Sequence, residues 1–147
     1  MTVSDSALEG LRAYLRQDSD RLDRAMATMQ HEGTAESYPQ VLAVAMLVLL
    51  QRRLGPHPGL SDIIGLVARL RADHRVSDDL DVHPLTTERM IRAGYGDTDA
   101  LTGYDQEELA KSQLFLIETL ATDENLDDTG LENLVTRVRE RIETLPA

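Results

Sequence analysis

Residues 41–50 read VLAVAMLVLL, ten apolar side chains in an unbroken row. A helix built from that row has no polar face, so it must be enclosed by other helices or by a second copy of the chain. The row would be about 15 Å long as a helix, roughly half of a membrane span, and the polar residues Gln51, Arg52 and Arg53 follow it directly. It therefore predicts a central core helix rather than a transmembrane segment.

The rest of the chain has the spacing of amphipathic helices, and no segment alternates apolar and polar residues over the length of a strand. Residues 114–117 read LFLI and predict a second interior helix. We therefore predict an all-α fold, a compact bundle of five or six helices around helix 2 (about 38–54) and helix 5 (about 106–121).

The 147 residues fit one domain, 1–147, with an acidic connector at 77–84 as a possible internal boundary. Helix 1 carries a polar pair at Asp18 and Ser19, so it either breaks near 17–20 or continues through them as one long helix. Helix 3 begins at Leu60 and is expected to pack antiparallel on helix 2. Its apolar spacing predicts a core face of Ile63, Ile64, Val67 and Leu70.

Helix starts are predicted from capping boxes, in which a hydroxyl and a carboxylate or amide three residues apart satisfy free groups of the first turn. Ser6 with Glu9 and Thr129 with Glu132 have this spacing, and Thr86 or Thr87 can cap a short helix before Gly94.

The charge of the chain is uneven. Acidic residues number 26 and basic residues 15, giving a formal net charge of −11. The first 76 residues hold nine of each sign, so the whole excess belongs to the second half. Such a field repels nucleic acid phosphates and anionic lipid and favours a basic partner, although solubility alone also explains it. We predict no nucleic acid and no membrane partner.

Two further features bear on location. The first residues have neither a basic cluster nor an apolar run, so no secretory signal is expected, and the chain has no cysteine. A disulfide framework and thiol catalysis are thereby excluded, and the sequence predicts a cytoplasmic protein.

The acidic loop Asp123–Asp128 is the main candidate for a binding site. Asp123, Asn125 and Asp127 occupy the first three ligand positions of a calcium loop, but Asp128 stands where that loop needs glycine. The same residue types are favoured at a helix N-terminus, where carboxylates accept hydrogen bonds from free N–H groups. Both interpretations remain open. We assign no metal or cofactor, and keep these three residues as candidates for a divalent cation or small ligand.

Two other acidic groups have weaker spacing. Asp97 and Asp99 with Glu108 match a calcium loop only in part, and turn chemistry explains Asp79, Asp81 and His83 as well as a metal site does. No phosphate loop, Gly-x-Ser-x-Gly or His-Glu-x-x-His motif is present, so we predict no catalytic residue and no enzyme.

Parts of the chain have two resemblances to known proteins. The helix at 60–71 followed by residues 88–97 (ERMIRAGYGD) resembles a pattern in small acidic bacterial proteins of unassigned function. Residues 116–134 are similar to TerB-like helical proteins, which carry an acidic loop between paired helices. Where that family has Asp-Gly, this chain has Asp123-Glu124.

These observations lead to a non-enzymatic helical protein that binds another protein, with a homodimer as one form of that interaction. The alternative is a binding module for a divalent cation or small ligand at Asp123–Asp128. An enzyme whose site is assembled from residues distant in sequence is a third possibility.

Overall fold

The computed structural model describes residues 2–74 and 82–145. Within those ranges the chain forms α-helices and no β-strand, which confirms the all-α prediction. The helices are α1 (Asp5–Leu15), α2 (Ser19–Glu32), α3 (Ser37–Leu54), α4 (Leu60–Asp73), α5 (Pro84–Gly94), α6 (Gln106–Glu124) and α7 (Asp128–Glu143), with a short 3-10 helix at Thr98–Leu101.

Internal contacts divide the chain into two units. Unit 1 contains Met1–Val48 and Asn125–Ala147, and unit 2 contains Leu49–Glu124. The connector predicted as a boundary at 77–84 lies for its greater part outside the described residues. The division falls instead inside α3 and after α6, while the prediction of a single domain stays a prediction.

In unit 1, α1 packs against α2 and α7. Its core includes the fully buried side chains of Leu8, Leu11 and Met29. Gly10 permits a close approach, because a Cβ atom there would lie 2.8 Å from Cε2 of Tyr38.

In unit 2, α5 packs against α4, α6 and the 3-10 helix. Fully buried aliphatic side chains form its core: Leu66, Leu70, Ile91, Leu116, Ile117 and Leu120. Two buried hydroxyls also meet there, with Thr87 Oγ1 3.4 Å from Ser112 Oγ. Thr87 Oγ1 also lies 3.2 Å from the carbonyl oxygen of His83, to which it can donate its single proton, so this buried hydroxyl is not left without an acceptor.

The apolar row at 41–50 lies in α3, as predicted, and none of its ten side chains is exposed. Seven are buried, and the other three, Ala43, Val44 and Leu47, are half-buried. The predicted range of 38–54 for this helix is confirmed to within one residue. The second interior helix, predicted at 106–121, is α6 and continues to Glu124.

The predicted helix 1 is two helices, which is one reason why the described residues contain seven α-helices rather than five or six. Gln17 has a φ of 55°, a left-handed conformation that ends α1. The carboxylate of Asp18 then accepts a hydrogen bond from the backbone N–H of Arg21 and caps α2. The polar pair Asp18 and Ser19 therefore marks the break between α1 and α2.

Three predicted helix starts were wrong by two to four residues. Ser4, not Ser6, caps α1, and Asp127, not Thr129, caps α7. His83 caps α5, and the next residue, Pro84, fits the first turn because it has no N–H group to satisfy. Thr86 and Thr87 are therefore not caps, and both are buried.

No helix among the described residues is long and apolar enough to cross a membrane.

Candidate functional site

An apolar recess of unit 2 lies between α4 and α5, and we call it the α4–α5 groove. It has a volume of about 350 Å³. Its lining is apolar except for one cation and one anion: Ile64, Val67, Ala68 and Arg71 from α4, and Pro84, Leu85 and Glu88 from α5. A volume of this order is typical of sites that receive a ligand or the side chains of a partner.

Large apolar side chains around the groove are exposed to solvent. Ile64 is 49% exposed, Leu85 is 42% exposed, and Leu60, one helical turn before Ile64, is 53% exposed. Ala68 and Ala72 continue the same line along α4 at four-residue spacing, and both are exposed. Since side chains four residues apart share a helix face, α4 has an unpartnered apolar stripe beside the groove.

The two charged groups of the groove differ in their bonding. The guanidinium of Arg71 donates a hydrogen bond to the carbonyl oxygen of Val82. The carboxylate of Glu88 has no hydrogen-bond or ion-pair partner within 2–74 and 82–145, and it is half-buried. A partner that supplies a cation at this point would therefore gain a bond that the described residues do not make.

The helices that form the groove do not share the acid excess of the chain. They carry three acidic and four basic residues: Asp62, Asp73 and Glu88, against Arg69, Arg71, Arg89 and Arg92. The whole chain has a net charge of −11, so α4 and α5 form a near-neutral surface on a strongly anionic protein.

The spacing of apolar residues did not reveal the α4–α5 groove, because that spacing predicts Ile64 on the buried face of its helix. Ile63, Val67 and Leu70 are buried as predicted, but Ile64 is exposed. The helix packs against α5, and its antiparallel packing on helix 2 stays a prediction. A signal was present in the sequence: apolar residues at 60, 64, 68 and 72 form a second stripe beside the one that the core uses.

Unit 1 has a different cleft, between α1 and α2, with a volume of about 500 Å³ and a polar lining. Three of its charged residues, Glu9, Arg12 and Arg21, are joined by ion pairs. The guanidinium of Arg21 donates to Glu9, and this bond is the main reason why the pKa of Glu9 is lowered. Arg12 bridges Glu9 and Glu132 of α7, and lowers the pKa of Glu132 as well. This network joins α1 to α2 and α7.

Each candidate of the acidic loop has a local structural role. Asp123 lies in the last turn of α6, where Oδ2 accepts a hydrogen bond from Nη1 of Arg53 at 2.9 Å and Oδ1 lies 2.8 Å from Nε2 of His74. Asn125 has a left-handed backbone, with φ of 49°. Asp127 caps α7 by accepting from the N–H of Gly130 at 2.7 Å. The division between the two units falls between Glu124 and Asn125.

Asp123 has a lowered pKa. Burial alone would raise the pKa of this carboxyl group, but hydrogen bonds from Arg53 and His74, with their charges, outweigh that effect. The neighbouring residues form a second ion pair: Nη1 of Arg52 bonds to Oε1 of Glu124 at 2.8 Å. The acidic end of α6 is thus bonded to residues of α3 and to His74, which directly follows α4.

Two of the weaker candidates, Asp97 and His83, also have local partners. Asp97 forms an ion pair with Arg92 at 2.6 Å. His83 accepts the N–H of Leu85 through Nδ1, while Asp79 and Asp81 lie outside the described residues. Within 2–74 and 82–145 there is no group of three or more histidine or carboxylate side chains placed to hold a metal ion.

Calcium and zinc are expected to give no saturable heat in titration calorimetry at millimolar concentration. Binding at Asp123 would have to displace Arg53 and His74, and binding at Asp127 would uncap α7. A saturable isotherm that disappears in Asp127→Asn would contradict this expectation and restore the cation-binding interpretation.

Comparison of the chain with protein-family models, curated proteins and solved structures found no match. The two resemblances drawn from the sequence therefore stay predictions.

Proposed function

We propose that this chain is a non-enzymatic protein-interaction protein whose docking surface is the α4–α5 groove. The observation that carries the proposal is the exposure of Leu60, Ile64 and Leu85 around one recess. Removing such side chains from water is worth about 25 cal/mol per Å². A chain that leaves them uncovered has this free energy available for binding a partner.

The partner class is protein rather than nucleic acid. The net charge of −11 repels phosphate groups, and a groove between two helices suits aliphatic side chains from another helix. A cytoplasmic site of action fits the cysteine-free composition and forms part of the proposal. A bacterial origin, as the resemblance to small acidic proteins implies, also belongs to it.

Photo-crosslinking inside cells tests the proposal. A benzophenone amino acid is placed at position 64 and, as a matched control, at position 145. Leu145 is, like Ile64, an exposed large aliphatic residue, at 40%, and it is not among the groove residues. Irradiation is expected to give a specific protein adduct from position 64 and none from position 145. Mass spectrometry of the linked peptide then identifies the partner.

If position 64 gives no adduct, or if both positions give the same one, the groove is not a docking surface. An adduct with a lipid or a small metabolite would likewise overturn the proposal.

A further inference from the structure

We infer that the occupant of the α4–α5 groove is an amphipathic helix of another protein, and that a lysine or arginine of that helix pairs with Glu88. This inference rests on the proposed function and gives its partner a chemistry. It is carried by the kinds of residue that line the groove and by the carboxylate of Glu88, which has no partner in the described part of the chain.

The lining of the groove limits the form of peptide that fits. A peptide that binds as an added strand needs an exposed sheet edge, and residues 2–74 and 82–145 contain no strand. A proline-rich peptide packs on aromatic side chains, and none of the described residues that line the groove is aromatic. A phosphorylated peptide needs a cluster of arginines, whereas the lining has only Arg71. A helix laid into an apolar groove is the mode of recognition that these walls suit.

A helix also satisfies its own backbone. An extended peptide pressed against helix side chains loses the hydrogen bonds that its backbone makes with water, whereas a helix makes these bonds internally. The exposed apolar residues of α4 run from Leu60 through Ile64 to Ala68, which is about 12 Å along the helix axis. Apolar residues at positions i, i+4 and i+7 of a partner helix cover a similar length, about 10 Å.

Glu88 determines the charge that the partner must carry. Its carboxylate is half-buried and has neither a hydrogen bond nor an ion pair within the described ranges. A carboxylate partly removed from water is stabilised by a cation within hydrogen-bond distance. On the α4 wall, Arg71 repels a cation, and its guanidinium already donates to the carbonyl of Val82. The basic residue of the partner therefore lies on the side of its helix that faces α5.

The net charge of the chain favours the same partner. With a net charge of −11, the chain attracts a basic partner from a distance and speeds the encounter. This attraction is spread over many carboxylates, so it does not by itself select a place on the surface. The groove supplies that place, because it combines exposed apolar side chains with a carboxylate that lacks a cation.

A library of helical peptides displayed on phage tests the inference with the full chain. Each peptide is about four turns long, with an alanine-rich frame and randomised positions along one face. The unmodified protein is expected to enrich peptides that have aliphatic residues at i, i+4 and i+7 and a lysine or arginine beside them. Ile64→Glu should remove this aliphatic pattern. Leu145→Glu adds the same charge at an exposed leucine outside the groove and should keep the pattern. Circular dichroism and thermal unfolding verify that each variant is folded.

The pairing of Glu88 is measured with one selected peptide. Glu88→Gln is expected to weaken its binding about two- to fivefold, the range for a partly exposed ion pair. Glutamine in place of the basic residue of the peptide should cost the same factor, and the two losses should not add, because both changes break one pair. Glu118→Gln is the matched control, since Glu118 is also half-buried but lies on α6, outside the groove lining. It removes the same charge and should leave the affinity nearly unchanged.

Three results would overturn the inference: a library that enriches no peptide, a library that enriches the same peptides on Ile64→Glu, or losses at Glu88 and in the peptide that add in full. The crosslink at position 64 separates this failure from failure of the proposed function. If position 64 links to an extended or acidic segment of another protein, or to a second copy of this chain, the groove is still a docking surface and the basic helix is wrong. If position 64 gives no adduct, both proposals are wrong.

Discussion

Leu49→Ala is expected to lower the free energy of unfolding by about 2–5 kcal/mol, the range for fully buried leucines that leave a cavity. Leu49 lies in the apolar row of α3 and is 0% exposed. Alanine is a good helix former, so the cost arises from lost burial and from the cavity rather than from the helix itself. The measurement is urea denaturation followed by far-UV circular dichroism.

Leu47→Ala is the matched control on the same helix. Leu47 belongs to the half-buried side of the row, so its truncation removes fewer contacts and leaves a space that water can enter. We expect a cost of about 1 kcal/mol or less. If Leu47→Ala and Leu49→Ala lowered the free energy of unfolding equally, all sides of α3 would be equally buried.

The sequence was sufficient to predict α3 because two independent signals agree there. Ten consecutive apolar residues require an enclosed helix, and Gly55-Pro-His-Pro-Gly59 prevents that helix from continuing past Leu54. The class of the fold followed from the same spacing rules. The break after α1 was one of two outcomes that spacing allows, since it depends on a single left-handed residue, Gln17.

Helix starts were harder to predict because several capping residues are adjacent. Ser4, Asp5 and Ser6 can each cap a helix, as can Asp127, Asp128 and Thr129. The cap is whichever residue has an extended backbone, and residue type alone does not determine that.

The groove could not be predicted from spacing, because spacing identifies which residues share a face and not which faces are covered. Two apolar stripes run along α4, and only one of them is buried. The bonding of the acidic loop could not be predicted from spacing for a related reason. Its residues are close in sequence, but the partners of Asp123 are Arg53 and His74, which lie 70 and 49 residues away along the chain.

Asp123→Asn is expected to destabilise the protein by about 1–2 kcal/mol at neutral pH, because hydrogen bonds to a charged group are worth about 1.5–3 kcal/mol and the partial exposure of these side chains reduces that value. The amide removes the negative charge and can accept through only one oxygen, so Arg53 or His74 loses its acceptor. Glu124→Gln is the matched control, because Glu124 is about equally exposed, at 28% against 27%, but bonds to a single cation, Arg52. Glu124→Gln should therefore lower the free energy of unfolding by less than Asp123→Asn does.

The effect of Asp123→Asn should also depend on pH. The pKa of Asp123 is lower in the folded chain than its ordinary value, so folding favours the ionised carboxylate. That stabilisation is complete above the pKa of the unfolded chain, near 4, and is lost as the pH falls through the lower pKa of the folded state. The stability difference between the unmodified protein and Asp123→Asn should therefore be full above about pH 5 and shrink in stronger acid. Denaturant midpoints measured from pH 7 downward test this, and two curves that stay parallel through the acid range would show that Arg53 and His74 do not stabilise the carboxylate.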